Sequence, residues 1–222
     1  MCGRFAYFCN GAFGCESLHL PEPPPFESYN IAPTQNILSI RSSPERGQAE
    51  YAMLHWGLVP FWSKVVKTPY PLIKARAEGI EKKPSFRSPF KHRRCIIPAS
   101  GFYEWQHHEG GKQPYFIRPI DGGYFSLAGL WEHWQGEGGE VVESCSIITT
   151  EANRLMSNIH DRMPVILKVQ DVEAWLDPGS GQSSILEMLA PYPNDLMEAY
   201  PVSNYVNSHR HDGPVCMARL NP

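Results

Sequence analysis

Short runs of apolar and β-branched residues recur along the chain, and they predict strands more often than helices. The predicted strands are residues 36–41, 51–57, 95–105, 114–120, 124–131 and 141–150. Residues 171–176 and 183–189 are predicted to be helical, and Thr150 is predicted to cap a helix that starts at residues 151–156. This pattern predicts an α+β fold, in which a mainly antiparallel, barrel-like sheet core is flanked by short helices.

The segments between these runs do not divide the chain. Residues 21–25, with four prolines, predict a stiff extended connector, and the glycine-rich residues 136–139 predict a hairpin tip. A chain of 222 residues with 42% apolar residues can bury one substantial core. We therefore expect residues 1–222 to form a single domain.

Composition also bears on the setting and on cofactors. No apolar stretch is long enough to span a bilayer, so we expect a cytoplasmic protein with no membrane contact. The six cysteines form no CxxC pair, which favours neither a disulfide framework nor a zinc site, and Cys95 and Cys145 are expected in the core. The paired histidines at 107–108 and 209–211 lack partners at ligand spacing and are expected to be solvated. We predict no metal and no cofactor.

Charge is strongly polarised along the chain. The net charge is −3, yet residues 64–94 contain ten basic residues and only two acidic ones. Six aromatic residues lie in or near this basic segment: Trp56, Phe61, Trp62, Tyr70, Phe86 and Phe90. Positive charge interleaved with aromatic rings suits a phosphate backbone and unpaired bases, although a solvated basic loop beside an ordinary core fits equally well.

The second residue, Cys2, carries the most specific chemistry. Removal of Met1 would expose an amine and a thiol on adjacent carbons, a pair that condenses with an aldehyde to an imine and then closes a thiazolidine ring. Ordinary pKa values of about 7.7–8.0 for the amine and about 8.5 for the thiol leave both partly nucleophilic near neutral pH. A small second residue that permits methionine removal is the alternative, and Cys2 alone fits either interpretation.

Two more side chains could complete a site with Cys2. Glu104 lies between aromatic residues at the end of an apolar run, where desolvation would raise its pKa into the range useful for proton transfer. In an alternating strand such a glutamate ordinarily faces solvent, and the segment alone favours that interpretation. His160 lies between a predicted helix and a strand-like run, beside Asp161 and Arg162, where catalytic groups are often mounted.

Taken together, six ordered motifs closely resemble the SRAP (SOS-response-associated peptidase) family from Met1 to about Asn207. The motifs are Met1-Cys2-Gly3-Arg4, Tyr29-Asn30-Ile31-Ala32-Pro33, Trp56-Gly57-Leu58-Val59-Pro60, Ala75-Arg76-Ala77-Glu78, Gly101-Phe102-Tyr103-Glu104-Trp105 and Ile159-His160-Asp161-Arg162-Met163-Pro164. The resemblance implies a protein that binds single-stranded DNA at abasic sites and captures the ring-opened sugar as a thiazolidine through Cys2. Such a crosslink shields the lesion.

The resemblance also implies a role for each matching residue. Glu104 and His160 would manage protons during sugar opening, imine formation and ring closure. The residues implied to contact DNA are Arg4, Asn30, Pro33, Trp62, Arg76, Trp105 and Arg162.

Lys74 is the one departure, because the family usually has asparagine there and lysine offers only donors and a charge. Its ammonium would lower the thiol pKa of Cys2, compete for the aldehyde or turn outward to a phosphate.

Three other functions stay open at this point. A cysteine followed by glycine also begins class II glutamine amidotransferases, although no glutamine-pocket motif accompanies it here. A cysteine peptidase using Cys2 with Glu104 or His160 is the second, and a non-catalytic reader of modified DNA bases is the third. For the DNA-binding function we expect a monomer that is associated with the nucleoid when bound to DNA.

Overall fold

The computed structural model describes residues 3–8, 18–66 and 70–220, and strands dominate it. The strands are β1 Arg4–Tyr7, β2 Ser28–Ile31, β3 Asn36–Ser42, β4 Ala49–Trp56, β5 Lys74–Arg76, β6 Arg94–Ala99, β7 Gly101–His108, β8 Gly111–Pro119, β9 Phe125–Gln135, β10 Val141–Glu151, β11 Arg162–Pro164, β12 Ile166–Leu167 and β13 Met197–Pro201. The α-helices are α1 Arg87–His92, α2 Val172–Leu176 and α3 Gln182–Glu187. The predicted α+β class is confirmed.

Five of the strands close into a barrel. Antiparallel pairs join β4 to β3, β3 to β6, β6 to β9 and β9 to β10, and a parallel pair of β10 with β4 completes the ring. Closure pairs both edges of each strand, which leaves no open sheet edge along the ring. The long strands β9 and β10 also extend past the ring, where β12 pairs with β9, and β5 and β11 pair with β10.

A second sheet, in the order β13-β8-β7-β1-β2, lies beside the barrel. The chain passes from the barrel to this sheet at Ser100, so the single strand predicted at 95–105 is wrong and is two strands, β6 and β7. Gly101 explains the sharp change of sheet, because a Cβ there would lie 2.3 Å from the Phe116 ring and 2.6 Å from the Ile117 carbonyl oxygen. Only glycine permits that close approach.

The other predicted strands are confirmed, and most of their ends lie within two or three residues of the prediction. The predicted helices are confirmed as α2 and α3. The hairpin tip is also confirmed, because the Gly136 N–H donates to the Glu140 carbonyl at 2.8 Å. The helix predicted to start after Thr150 is wrong. Thr150 lies within β10 and pairs with Met163 of β11, and the local turn comes later, where the Asn153 side chain accepts the Met156 N–H. Sheet pairing overrides the local capping signal here.

Candidate active site and DNA interface

A cleft of about 520 Å³ gathers five of the residues that the sequence singled out. Its lining consists of Gly3, Arg4, Pro33, Glu104, Trp105, His107, Lys112, His160 and Asn207. These residues come from β1, the turn after β2, β7, β8, the turn before β11 and a C-terminal loop, so the fold brings together distant parts of the chain. A cavity of about 610 Å³ beside β4 contains none of the candidate residues. Because the smaller cleft contains the candidate residues, we take it as the candidate active site.

Glu104 is buried at the base of this cleft, with only 3% of its surface exposed. The solvent-facing orientation favoured by its local sequence is therefore wrong. Its strand, β7, lies in the middle of a sheet, with β1 on one side and β8 on the other, and Glu104 pairs with Tyr115 of β8. One carboxylate oxygen accepts the Trp105 N–H at 3.2 Å. A carboxyl held in such a dry position is suited to proton transfer.

His160 faces the same cleft from the turn before β11. Burial lowers the pKa of its imidazole, and this effect outweighs the opposing influence of the Glu104 and Asp161 carboxylates, while Lys74 lowers the pKa further. The ring atom Nδ1 lies 3.0 Å from the Arg162 N–H and 2.6 Å from Asp161 Oδ1. These two contacts require different proton positions. In the neutral ring Nδ1 accepts from Arg162, which leaves the proton on Nε2, and a protonated Nδ1 donates to Asp161 instead.

A loop at residues 204–212 forms one wall of the cleft, and Asn30 anchors it from below. Asn30 is 2% exposed, and its side-chain nitrogen contacts the carbonyls of Val206, Ser208 and His211 at 2.8–3.1 Å. Its side-chain oxygen accepts from Arg4 at 2.7 Å. The sequence had placed Asn30 among the DNA-contacting residues, whereas the structure places it beneath the surface as part of the support of this loop.

Arg4 and Trp105 complete the support of that wall. Arg4 also donates to the Val206 and Asn207 carbonyls, at 2.8 and 3.2 Å. The indole N–H of Trp105 donates to Asn207 Oδ1 at 2.7 Å. Both side chains still line the cleft, so each supports the loop and presents a surface to whatever enters.

Trp62 lies outside the cleft, on an exposed loop after β4. Its side chain is 56% exposed and the neighbouring Phe61 is 58% exposed, which leaves two aromatic faces open to solvent. The loop is fixed at Ser63, whose carbonyl accepts the indole N–H of Trp134 at 2.7 Å. Exposed rings on a fixed loop are a suitable platform for stacking unpaired bases.

Lys74 and Arg76 lie on β5, which pairs in parallel with β10 at Ile147 and Thr149. Lys74 is half-buried and close enough to His160 to lower its pKa, whereas Arg76 is exposed. Arg162, on β11, makes a two-point ion pair with Glu78, and its Nη2 donates to the Thr149 carbonyl at 2.7 Å. Of the three residues, only Arg76 is exposed as a whole.

The basic segment at 64–94 is only partly a free positive surface. Arg94 is buried, and its guanidinium donates to the backbone carbonyls of Phe90, Lys91, Trp175 and Asp177. Arg93 makes an ion pair with the buried Glu132 at 2.9 Å. These two cations therefore hold the fold together, and Lys67 lies outside the described residues.

Comparison with known proteins gives the family. The profile of the family described as "SOS response associated peptidase (SRAP)" matches residues 1–209. The chain belongs to the SRAP family. It is 43% identical over 220 residues to the "Abasic site processing protein YoqW" of Bacillus subtilis, a match that covers 96% of this chain and 97% of that protein. It is 32% identical over 223 residues to the "Abasic site processing protein HMCES" of Xenopus tropicalis, covering 87% and 66%.

The fold agrees with the family assignment. The crystal structure of a protein from Bacteroides thetaiotaomicron superimposes with a TM-score of 0.77 at 33% identity, covering 87% of this chain and 85% of that one. A phage-related protein from Bordetella bronchiseptica gives a TM-score of 0.71 at 28% identity, covering 90% and 94%. The resemblance inferred from the six motifs is therefore confirmed at the level of family and fold.

Cys2 of this SRAP protein lies outside the described residues, which begin at Gly3 on the cleft wall. Three cysteines are described, Cys95, Cys145 and Cys216, and all three are free and buried. Burial raises the pKa of each of these thiols, so they are poor nucleophiles. As predicted, Cys95 and Cys145 belong to the core.

Sequence reasoning missed two residues of the SRAP site. Asn207 belongs to a loop that carries no motif, and only its contact with Trp105 shows that it lines the cleft. Glu78 is part of a quoted motif, but no sequence signal pairs it with Arg162, 84 positions away. Within the described ranges no group of three or more histidine, cysteine or acidic side chains is placed to hold a metal ion, and no helix is long and apolar enough to cross a membrane.

Proposed function

We propose that this protein binds single-stranded DNA at abasic sites and captures the ring-opened sugar through Cys2 after removal of Met1. The observation that carries the proposal is the convergence of Gly3, Glu104 and His160 on one cleft in a chain whose relatives are named abasic site processing proteins. Gly3, which lines the cleft, is the residue that follows Cys2 in the sequence.

The chemistry balances without a cofactor. The amine of Cys2 attacks the sugar aldehyde, and loss of one water gives an imine. The Cys2 thiolate then adds to the imine carbon while the imine nitrogen takes up a proton, which closes the thiazolidine ring. The new C–N and C–S bonds keep the strand attached and shield the aldehyde from other amines.

Glu104 and His160 supply the proton transfers in this scheme. Opening of the sugar requires a proton on the ring oxygen, and imine formation requires a proton on the departing hydroxyl. The buried Glu104 carboxyl is the group proposed for these donations. His160, whose pKa is lowered by burial, is proposed to take the proton from the attacking amine or thiol.

DNA would lie across the cleft mouth and the neighbouring basic surface. Arg76 and Arg162 are proposed to hold phosphates, and Arg4 would do so with the donors it does not use for the loop. Trp62 is proposed to stack an unpaired base, while Pro33 and Trp105 shape the wall beside the lesion. Asn30 acts through the loop that it anchors.

Two further activities follow from the same site. An imine that fails to close to the thiazolidine can undergo β-elimination, which breaks the strand and constitutes abasic-site lyase activity. The family's description as a peptidase fits self-removal of Met1, the hydrolysis that exposes the amine. We further propose that the protein acts as a cytoplasmic monomer and joins the nucleoid when bound to DNA.

Incubation with abasic single-stranded DNA, followed by a denaturing gel, tests the proposal. We expect a heat-resistant protein–DNA band with abasic DNA and none with intact DNA. Cys2→Ala should abolish this band and leave at most an unstable imine and strand cleavage, whereas Cys9→Ala should keep the band. A non-catalytic base reader or an amidotransferase would give no covalent band with any variant.

A further inference from the structure

The guanidinium of Arg162 is occupied by a carboxylate of the same chain. Nη1 and Nη2 of Arg162 donate to the two oxygens of Glu78, the second at 2.9 Å. Nη2 also donates to the Thr149 carbonyl at 2.7 Å, and Nε is buried. The outward edge of the guanidinium, which carries Nη1 and Nη2, is therefore the edge that Glu78 covers.

The two members of this ion pair are held very differently. The Arg162 side chain is 13% exposed, and the pairing of Arg162 in β11 with Glu151 of β10 fixes its position. The Glu78 side chain is 59% exposed, and it follows β5 in a turn. Solvent therefore reaches the carboxylate and not the buried side of the guanidinium, so an incoming anion can replace Glu78 without moving Arg162.

The surroundings favour an anion at this place even without Glu78. Arg162 is the first cause of the lowered pKa of Glu78, and Lys83 also contributes. The Lys83 ammonium donates to the Arg76 carbonyl at 2.9 Å, which keeps it beside the exposed Arg76. Arg162 and Lys83 thus both act on one exposed carboxylate. A phosphodiester has the same charge as a carboxylate and binds arginine through the same two parallel hydrogen bonds.

We propose that Glu78 occupies a phosphate-binding position on Arg162 in the free protein and that a DNA phosphate displaces it on binding. The inference rests on the proposed function, because it takes DNA as the ligand. Glu78 would lower the affinity for any strand that does not place a phosphate at this point, and it would keep Arg162 oriented before DNA arrives. Contact with the strand would then be an exchange of one anion for another.

Removal of the Glu78 charge alone tests the exchange. Glu78→Gln should tighten binding of an unmodified single-stranded oligonucleotide roughly two- to fivefold, the range that exposed ion pairs contribute. The slope of log affinity against log salt should steepen by up to about 0.7, since the phosphate contact with Arg162 no longer releases a competing carboxylate. Fluorescence anisotropy at several salt concentrations measures both quantities.

Glu81→Gln is the matched control, because it removes the same charge from the same segment and Glu81 contacts Lys82 rather than Arg162. Equal gains from Glu78→Gln and Glu81→Gln would show a general charge effect and overturn the exchange. In a protein that already carries Arg162→Ala, Glu78→Gln should tighten DNA binding no more than Glu81→Gln does. A larger gain in affinity there would also overturn the exchange. Weaker binding by Glu78→Gln would show that Glu78 only supports Arg162, which also overturns it.

The same binding measurements distinguish a failure of the exchange at Arg162 from a failure of the proposed DNA binding. If the unmodified chain fails to bind any oligonucleotide at low salt, including one with a tetrahydrofuran abasic analogue, the proposed DNA function fails. If that chain binds and Glu78→Gln behaves as Glu81→Gln does, only the exchange at Arg162 fails. Thermal unfolding of each variant tests whether the substitutions leave the fold intact.

Discussion

The protonation of His160 depends on charges contributed by three different parts of the fold. Burial lowers its pKa, the Glu104 and Asp161 carboxylates raise it, and the Lys74 ammonium lowers it. The family resemblance puts asparagine at position 74, so the lysine found here adds a positive charge that acts on His160. Lysine in place of asparagine therefore changes both the local electrostatics and the hydrogen bonding.

Opposite shifts are therefore expected from two substitutions. Lys74→Asn removes a cation and should raise the pKa of His160, which moves the acid limb of the crosslinking rate to higher pH. Asp161→Asn removes an anion and should lower the pKa, which moves that limb to lower pH. NMR titration of the imidazole and single-turnover rates against pH at saturating DNA measure the two effects.

If Lys74→Asn leaves both the pKa of His160 and the rate profile unchanged, position 74 takes no part in the chemistry. If it instead weakens binding alone, Lys74 holds a phosphate.

The sequence predicted which residues belong to the candidate site, but it did not predict how deeply each residue is buried. The motifs identified Glu104 and His160 as partners, and the cleft unites them. The burial of Glu104 could not be predicted, because it depends on β1 and β8 covering β7 from both sides. The place of Asn30 beneath the surface depends on a loop about 180 residues away. Such contacts leave no local pattern in a single sequence.

At the scale of elements, the loop at 204–212 contributes Asn207 to the cleft wall, and β1 and β2 hold this loop through Arg4 and Asn30. Asn30→Ala would leave buried carbonyls without a donor and should lower the free energy of unfolding by about 2–4 kcal/mol. Urea denaturation measures this loss, and crosslinking should slow in the same variant. His209→Ala, an exposed member of the same loop, is the control and should have little effect on either measurement.

The exposed aromatic loop after β4 is proposed to bind DNA separately from the cleft. Trp62→Ala should weaken binding of single-stranded DNA by about 1–3 kcal/mol, the contribution of stacking one base on an aromatic ring. Trp62→Phe should retain most of the affinity. Anisotropy titrations test this, with Ile120→Ala as the control because that side chain is equally exposed outside the basic segment. An equal loss from both alanine variants would contradict the stacking role.

Strand prediction succeeded where a strand is long and its apolar pattern continuous, as in β3, β9 and β10. It failed for β1 and β2, of four residues each, which are too short to show an alternating pattern. The strand pairing that closes the barrel could not be predicted either, because β10 and β4 pair in parallel through residues about 90 positions apart. Local sequence sets strand tendency, and the register comes from packing.

At the scale of the whole molecule, the positive charge of residues 64–94 divides into cations that face solvent and cations that hold the fold. Arg76→Ala should reduce the salt slope of DNA binding by about 0.7 and leave stability unchanged, because its side chain is exposed. Arg94→Ala should cost on the order of 3 kcal/mol of stability, since four backbone carbonyls would lose their donor. A changed salt slope in folded Arg94→Ala would contradict this division.

The central claim, capture of an abasic site by an exposed Cys2, is tested most directly by mass spectrometry of the crosslinked protein after nuclease and trypsin digestion. We expect the sugar remnant on the peptide Cys2-Gly3-Arg4, without Met1, with the mass of peptide plus sugar remnant less one water. A chain extended by one residue before Cys2 should give no stable adduct, because its Cys2 nitrogen is an amide. A remnant on any other residue, or efficient crosslinking by the extended chain, would contradict the account.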